Sequence, residues 1–190
     1  MRASDNKFLK VNRGVVLNET IEARIVDLDK YYEQAGLVAY VTSGERSSID
    51  QLQTIKNYCI RHGVDKEFPE ILTCGVTDKI NFGEGKKIFT WQRAWSRLLN
   101  IGLVVNPPLP AACLFDYIRN GVNKKGEIIG HSPHYYGRAF DIGGGMDKDL
   151  SNEFAVLQTA IKSGMKGIKG WLMEPKNNCL HVDVLPIDYK

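Results

Sequence analysis

Two short stretches constrain this chain more than any others. One is His131-Ser-Pro-His134-Tyr-Tyr-Gly137-Arg-Ala139-Phe-Asp141; the other is Leu180-His181-Val-Asp183-Val184. Together they hold three of the chain's four histidines. Gly137 lets the backbone turn between His134 and a strand read over 138–142. In that strand Ala139 and Asp141 share one face, and Arg138, Phe140 and Ile142 share the other. In the second stretch His181 and Asp183 point one way, and Leu180, Val182 and Val184 point to a core. If the two strands pair, a carboxylate and an imidazole meet on one side of a sheet, within reach of His134 from the preceding loop.

Two imidazoles and one carboxylate form a set that zinc accepts in catalytic sites, where three protein ligands leave a fourth position open. A structural site more often uses four ligands, usually with cysteine. On residue types alone the bland reading stays open, because a His and an Asp beside a turn also serve as cap and loop residues.

The remaining sequence sets the frame. A chain of 190 residues suits a single domain, 1–190, able to bury its own core. Its 25 basic residues are nearly balanced by 22 acidic ones, which argues against a nucleic-acid binder. Cysteines 59, 74, 113 and 179 form no C-x-x-C pair and read as free thiols. No apolar run approaches the roughly 18 residues of a membrane span. Met1 to Asn12 has no apolar segment of the signal-peptide kind, so synthesis as a soluble cytoplasmic product is expected.

Periodicity predicts a helix over 19–35, capped by Asn18 and ended by Gly36, and then a strand over 37–42. Ser48 is expected to open a second helix, with Gln51 completing a capping box and Gly63 stopping it. Its apolar face is Ile49, Leu52, Ile55 and Cys59. Residues 64–88 read as a loop with short extended pieces. A helix over 91–100 follows, with Trp91, Ala94, Trp95, Leu98 and Leu99 on one face. A short helix near 110–120 and a turn or hairpin over 122–130 come next. The chain closes with a helix over 151–163 capped by Ser151, and strands over 167–173 and 179–185. The class is α+β, an antiparallel sheet flanked by helices. Gly143-Gly-Gly145 lacks the spacing of a phosphate loop, and Asp147-Lys-Asp149-Leu-Ser151 lacks the glycine and glutamate of a calcium loop.

Ser132-Pro-His134-Tyr-Tyr-Gly137-Arg-Ala139-Phe-Asp141 resembles the S-x-H-x-x-G-x-A-x-D signature of the D-alanyl-D-alanine peptidase family of zinc enzymes, at all five fixed positions. That family includes D-alanyl-D-alanine carboxypeptidases and phage L-alanyl-D-glutamate endopeptidases of the hedgehog/DD-peptidase fold. Thr42-Ser-Gly-Glu-Arg46-Ser is similar to the family's S-G-x-R-S segment, and Leu180-His181-Val-Asp-Val to its terminal strand. The matches span about residues 37–186, and 64–130 carries no motif that aligns. The resemblance implies Zn2+ held by His134, Asp141 and His181. It implies that Arg46 stabilises an oxyanion or holds a substrate carboxylate, and that Ser132 bonds substrate. The implied substrates are peptidoglycan stem peptides, with virion or tail proteins as further partners. An absent signal peptide then fits a phage lysin better than a secreted carboxypeptidase.

One position departs from the pattern. Many members carry an acid three residues before the last histidine as general base, and here Asn178 stands there. An amide cannot take a proton at neutral pH. Glu174 replaces it if Lys176 to Asn178 turns back on itself, and Asp183 is the other candidate. If neither reaches, the alternative is a binding or structural module that keeps the metal fold without turnover.

Overall fold

The computed structural model describes residues 2–73, 86–102, 133–134, 136–143 and 149–187, excepting the side chains at 48–49, 51–52, 86–89 and 91–92. Its contacts group into two compact units, Met1–Arg46 with Pro133–Lys190, and Ser47–Ser132.

The first unit is built on a five-stranded sheet in the order β1-β2-β3-β5-β4. The strands are β1 (Leu9–Val11), β2 (Ala39–Ser43), β3 (Ala139–Gly143), β4 (Ile168–Glu174) and β5 (Cys179–Val184). All neighbours pair antiparallel except β1, which lies parallel to β2. The all-antiparallel expectation is thus corrected to a mixed sheet. β1 escaped notice because the alternation of Leu9, Lys10 and Val11 covers three residues, too few to read as a strand.

Helix α1 (Glu19–Ala35) forms where its periodicity placed it. The Asn18 side chain accepts from the Ile21 N–H, and Gly36 ends the helix at φ 65°, where a glycine meets no steric penalty. Ile21, Ile25, Leu28 and Tyr32 pack with Val41, Phe140, Ile142, Leu180, Val182 and Val184. The last helix (Ser151–Lys162) adds Val156, Leu157 and Ala160 to the same cluster. Ser151 is not its cap; its N–H bonds Asp149 Oδ1, and the helix begins at Ser151 itself. With one sheet face given to this core, the odd-numbered residues of β3 and β5 project from the other.

The second unit is helical where described. Helix α2 (Ser48–Arg61) is capped one residue earlier than expected: Ser47 and Asp50, not Ser48 and Gln51, make the capping box. α3 (Val64–Glu67) and a 3-10 turn (Pro69–Leu72) replace the extended pieces read there. α4 (Lys86–Asn100) starts five residues before the predicted 91. Ile55, Cys59, Val64, Phe68, Ile71, Ala94, Trp95 and Leu98 form its core. Cys59 is a free thiol, pushed up to about 12 by burial and then by Asp65. The predicted helix at 110–120 and the hairpin at 122–130 lie outside the described residues.

Candidate metal centre

The helix from Ser151 to Lys162, α5, and helix α1 pack on one sheet face, and Asp141, His181 and Asp183 lie on the other. There β3 and β5 pair so that Asp141 stands opposite His181 and Ala139 opposite Asp183. Cross-strand partners project to the same side. Asp141 Oδ1 lies 2.9 Å from His181 Nδ1.

His134 reaches this pair from the turn before β3. The turn is fixed by backbone bonds, from the Gly137 N–H to the His134 carbonyl and from the Arg138 N–H to the Pro133 carbonyl. Gly137 sits at φ 59°, and a Cβ there would run into the Asn18 side chain. The Asn18 amide donates to the Gly137 carbonyl at 2.9 Å, so the cap of α1 also anchors the histidine turn. The result places His134 Nε2 3.1 Å from Asp141 Oδ1 and 3.2 Å from His181 Nδ1.

The other polar atoms of these residues fix which atoms face the cluster. His134 Nδ1 lies 2.7 Å from the Gly44 carbonyl, which can only accept, so the ring proton sits on Nδ1 and Nε2 keeps its lone pair. His181 has a carboxylate on each side, Asp183 Oδ1 3.1 Å from Nε2 and Asp141 Oδ1 2.9 Å from Nδ1, so Nδ1 offers a lone pair where a cation takes the place of its proton. Asp141 Oδ2 accepts from Arg46 NH2 at 3.0 Å, and Arg46 Nε donates to Ser43 Oγ at 2.9 Å. Two imidazole nitrogens and a carboxylate oxygen therefore converge in a site where His134 and Asp141 are buried.

Such a convergence needs a cation or a proton. These three residues can hold a metal ion. An ion bonded tetrahedrally at about 2.0–2.1 Å separates its ligands by roughly 3.3 Å, close to the spacing present here. Without a metal, a proton does the same work. Burial works against the His181 imidazolium, but Asp141 and Asp183 overcome it and raise the pKa to about 10. Burial also opposes the Asp141 carboxylate, and His134, His181 and Arg46 outweigh it, holding the group far below the usual carboxylate range.

The expected turn after β4 forms. Pro175–Asn177 is a 3-10 turn, and Asn178 closes it at φ 51°, a left-handed conformation that asparagine tolerates. Glu174 stands opposite Cys179 on the face that carries His181. Its Oε2 accepts from Asn177 Nδ2 at 2.7 Å and receives the Cys179 thiol at 3.8 Å. Burial, then the charges of Asp141 and Glu174, push that thiol well above its ordinary value, so it stays protonated.

Of the residues singled out in the sequence, His134, Asp141, His181 and Arg46 come together, and Glu174 joins them on the same face. Ser132 lies outside the described residues. Sequence reasoning missed the Gly44 carbonyl and the Ser43 hydroxyl; both lie in the Thr42–Ser47 segment, whose motif pointed only to Arg46. No helix among the described residues is long and apolar enough to cross a membrane. No family model, curated protein or solved structure matches this chain.

Proposed function

We propose that this protein is a zinc metallopeptidase of the hedgehog/DD-peptidase kind that cuts a peptide bond in the peptidoglycan stem peptide, as a phage-type cell-wall hydrolase. The observation that carries the proposal is the convergence of His134 Nε2, His181 Nδ1 and Asp141 Oδ1, each ligand's remaining polar atom being committed elsewhere. The residue set is the one zinc takes in catalytic sites, and the resemblance of 132–141 to the D-alanyl-D-alanine peptidase signature supplies the substrate class.

A zinc ion held there would supply Lewis acidity, which acidifies water and polarises a carbonyl. The chain's own residues do the rest. Glu174 accepts a proton from the attacking water and returns it to the leaving amine. Asn177 holds that carboxylate by one oxygen, from the turn that brings it toward the sheet face. Arg46 brings the positive charge that an oxyanion or a substrate carboxylate requires, while two of its nitrogens hold Ser43 and Asp141. The same enzyme would reach the wall with a virion or after release by a holin.

Asn178, in place of the usual acid, favours a second reading: a zinc-binding tail or wall-binding module without turnover. Glu174→Gln separates the two. Purified peptidoglycan is incubated with parent and variant, and new amino termini are counted. Hydrolysis by the parent, lost in a variant that keeps its zinc, supports the peptidase with Glu174 as base. Zinc without hydrolysis in the parent supports the module.

A further inference from the structure

We infer that Asp183 is a positioning residue of the metal centre, the carboxylate that fixes the ligand tautomer of His181; this rests on the metal reading above. β5 alternates, so His181 and Asp183 project from the same face, and the imidazole leans along the strand until Nε2 meets Asp183 Oδ1 at 3.1 Å. An imidazole with both nitrogens near acceptors can put its proton on either. Asp141 lies on the Nδ1 side at 2.9 Å, so the proton belongs on Nε2 when a cation occupies the Nδ1 side; Asp183 then accepts that N–H, and Nδ1 keeps its lone pair for the metal.

The strands around Asp183 are shaped for it. Its cross-strand partners are Ala139 on β3 and Gly170 on β4, two small residues that leave its carboxylate lateral room. Ala139 is also a fixed position of the sequence signature, which gives that alanine a physical reason: a longer side chain would crowd Asp183. The two histidines are thus locked by different means, His134 by the buried Gly44 carbonyl and His181 by a carboxylate still 30% exposed. The same geometry removes Asp183 from the candidates for general base, because the His181 ring stands between its carboxylate and the convergent ligand atoms.

The test is zinc affinity, measured by competition with a chromophoric chelator for the parent, Asp183→Ala and Asp183→Asn, with Co2+ absorption as a readout of ligand geometry. Asp183→Ala should bind zinc about 10–100-fold more weakly and alter the Co2+ spectrum. Asp183→Asn should lose less, because its amide oxygen still accepts but carries no charge. Metal-free melting temperatures check that the variants fold. If the alanine variant does not fold, the asparagine variant decides alone, with a loss of at least about threefold expected. Parental affinity in every folded variant overturns the assignment and leaves the metal site standing. No zinc binding by the parent overturns both.

Discussion

Asp141 and His181 are direct cross-strand partners, and the register of β3 on β5 sets Oδ1 of one 2.9 Å from Nδ1 of the other. Two of three ligands are therefore set by the sheet rather than by loops. A one-residue slip of β5 would send His181 into the core and bring Leu180 or Val182 to the site. Asp141→Asn keeps the shape of the ligand and removes its charge. It should weaken zinc binding by more than the roughly 10–100-fold expected for an outer partner. Equilibrium competition with a chelator measures this.

Gly137 and Gly36 both have positive φ, yet their surroundings differ. A Cβ at Gly36 meets nothing, whereas one at Gly137 runs into Asn18. Gly36→Ala should cost about 1 kcal/mol, the left-handed penalty alone. Gly137→Ala should cost about 2–4 kcal/mol, because it adds displacement of the α1 cap. Urea denaturation of the two variants gives the comparison, and equal losses would contradict the anchoring role of Asn18.

Arg46 is tied to Asp141 by a partly buried ion pair, with side chains 19% and 10% exposed. Arg46→Ala should destabilise the metal-free protein by roughly 1–3 kcal/mol, since it removes one of the charged partners of a buried carboxylate and leaves His181 as the other. Arg46→Lys should recover part of that loss, because it restores charge but not the planar fork that reaches both Ser43 and Asp141. Chemical denaturation in excess chelator isolates the effect from metal binding.

The pH dependence of the metal-free protein follows from two groups. His181 has a folded pKa raised to about 10, so its contribution is fully present below the unfolded value of 6.5 and is lost as pH rises through 10. Asp141 has a lowered folded pKa, so its contribution is present above 3.8 and fades as pH falls below that. Stability without metal should therefore fall from neutral pH toward pH 10. Zinc competes with the proton on His181, so zinc affinity should rise over the same range and binding should release protons. Calorimetry in buffers of different ionisation enthalpy counts those protons; a count near zero at neutral pH would contradict a protonated His181.

Local rules carried much of this architecture into the sequence. Asn18 and Gly36 bracket α1, and the alternation of Leu180–Val184 placed His181 opposite the core before any pairing was known. Where two local signals competed, the reading slipped. Ser47 with Asp50 and Ser48 with Gln51 are near-equal capping boxes, and the charged acceptor won. Lys86 and Lys87 fell within the stretch read as a loop, but lysine is a good helix former and α4 extends through them. Pro69, inside the same stretch, opens a 3-10 turn, where its missing N–H costs nothing.

The candidate ligands were legible because their chemistry is written in side chains. Their supports were less so. The Gly44 carbonyl is a backbone group with no sequence signature, and Asp183 read as a possible base because sequence shows that it shares a face with His181 but not which ring nitrogen it meets. Glu174 depended on a turn whose closure rests on the left-handed backbone of Asn178.

The most direct test of the zinc peptidase is zinc content and peptidoglycan hydrolysis measured on one purified sample, beside His134→Ala. About one zinc per chain and release of new amino termini, both lost in the variant, is the expected result. A parent protein that takes up no zinc even when resupplied would contradict it.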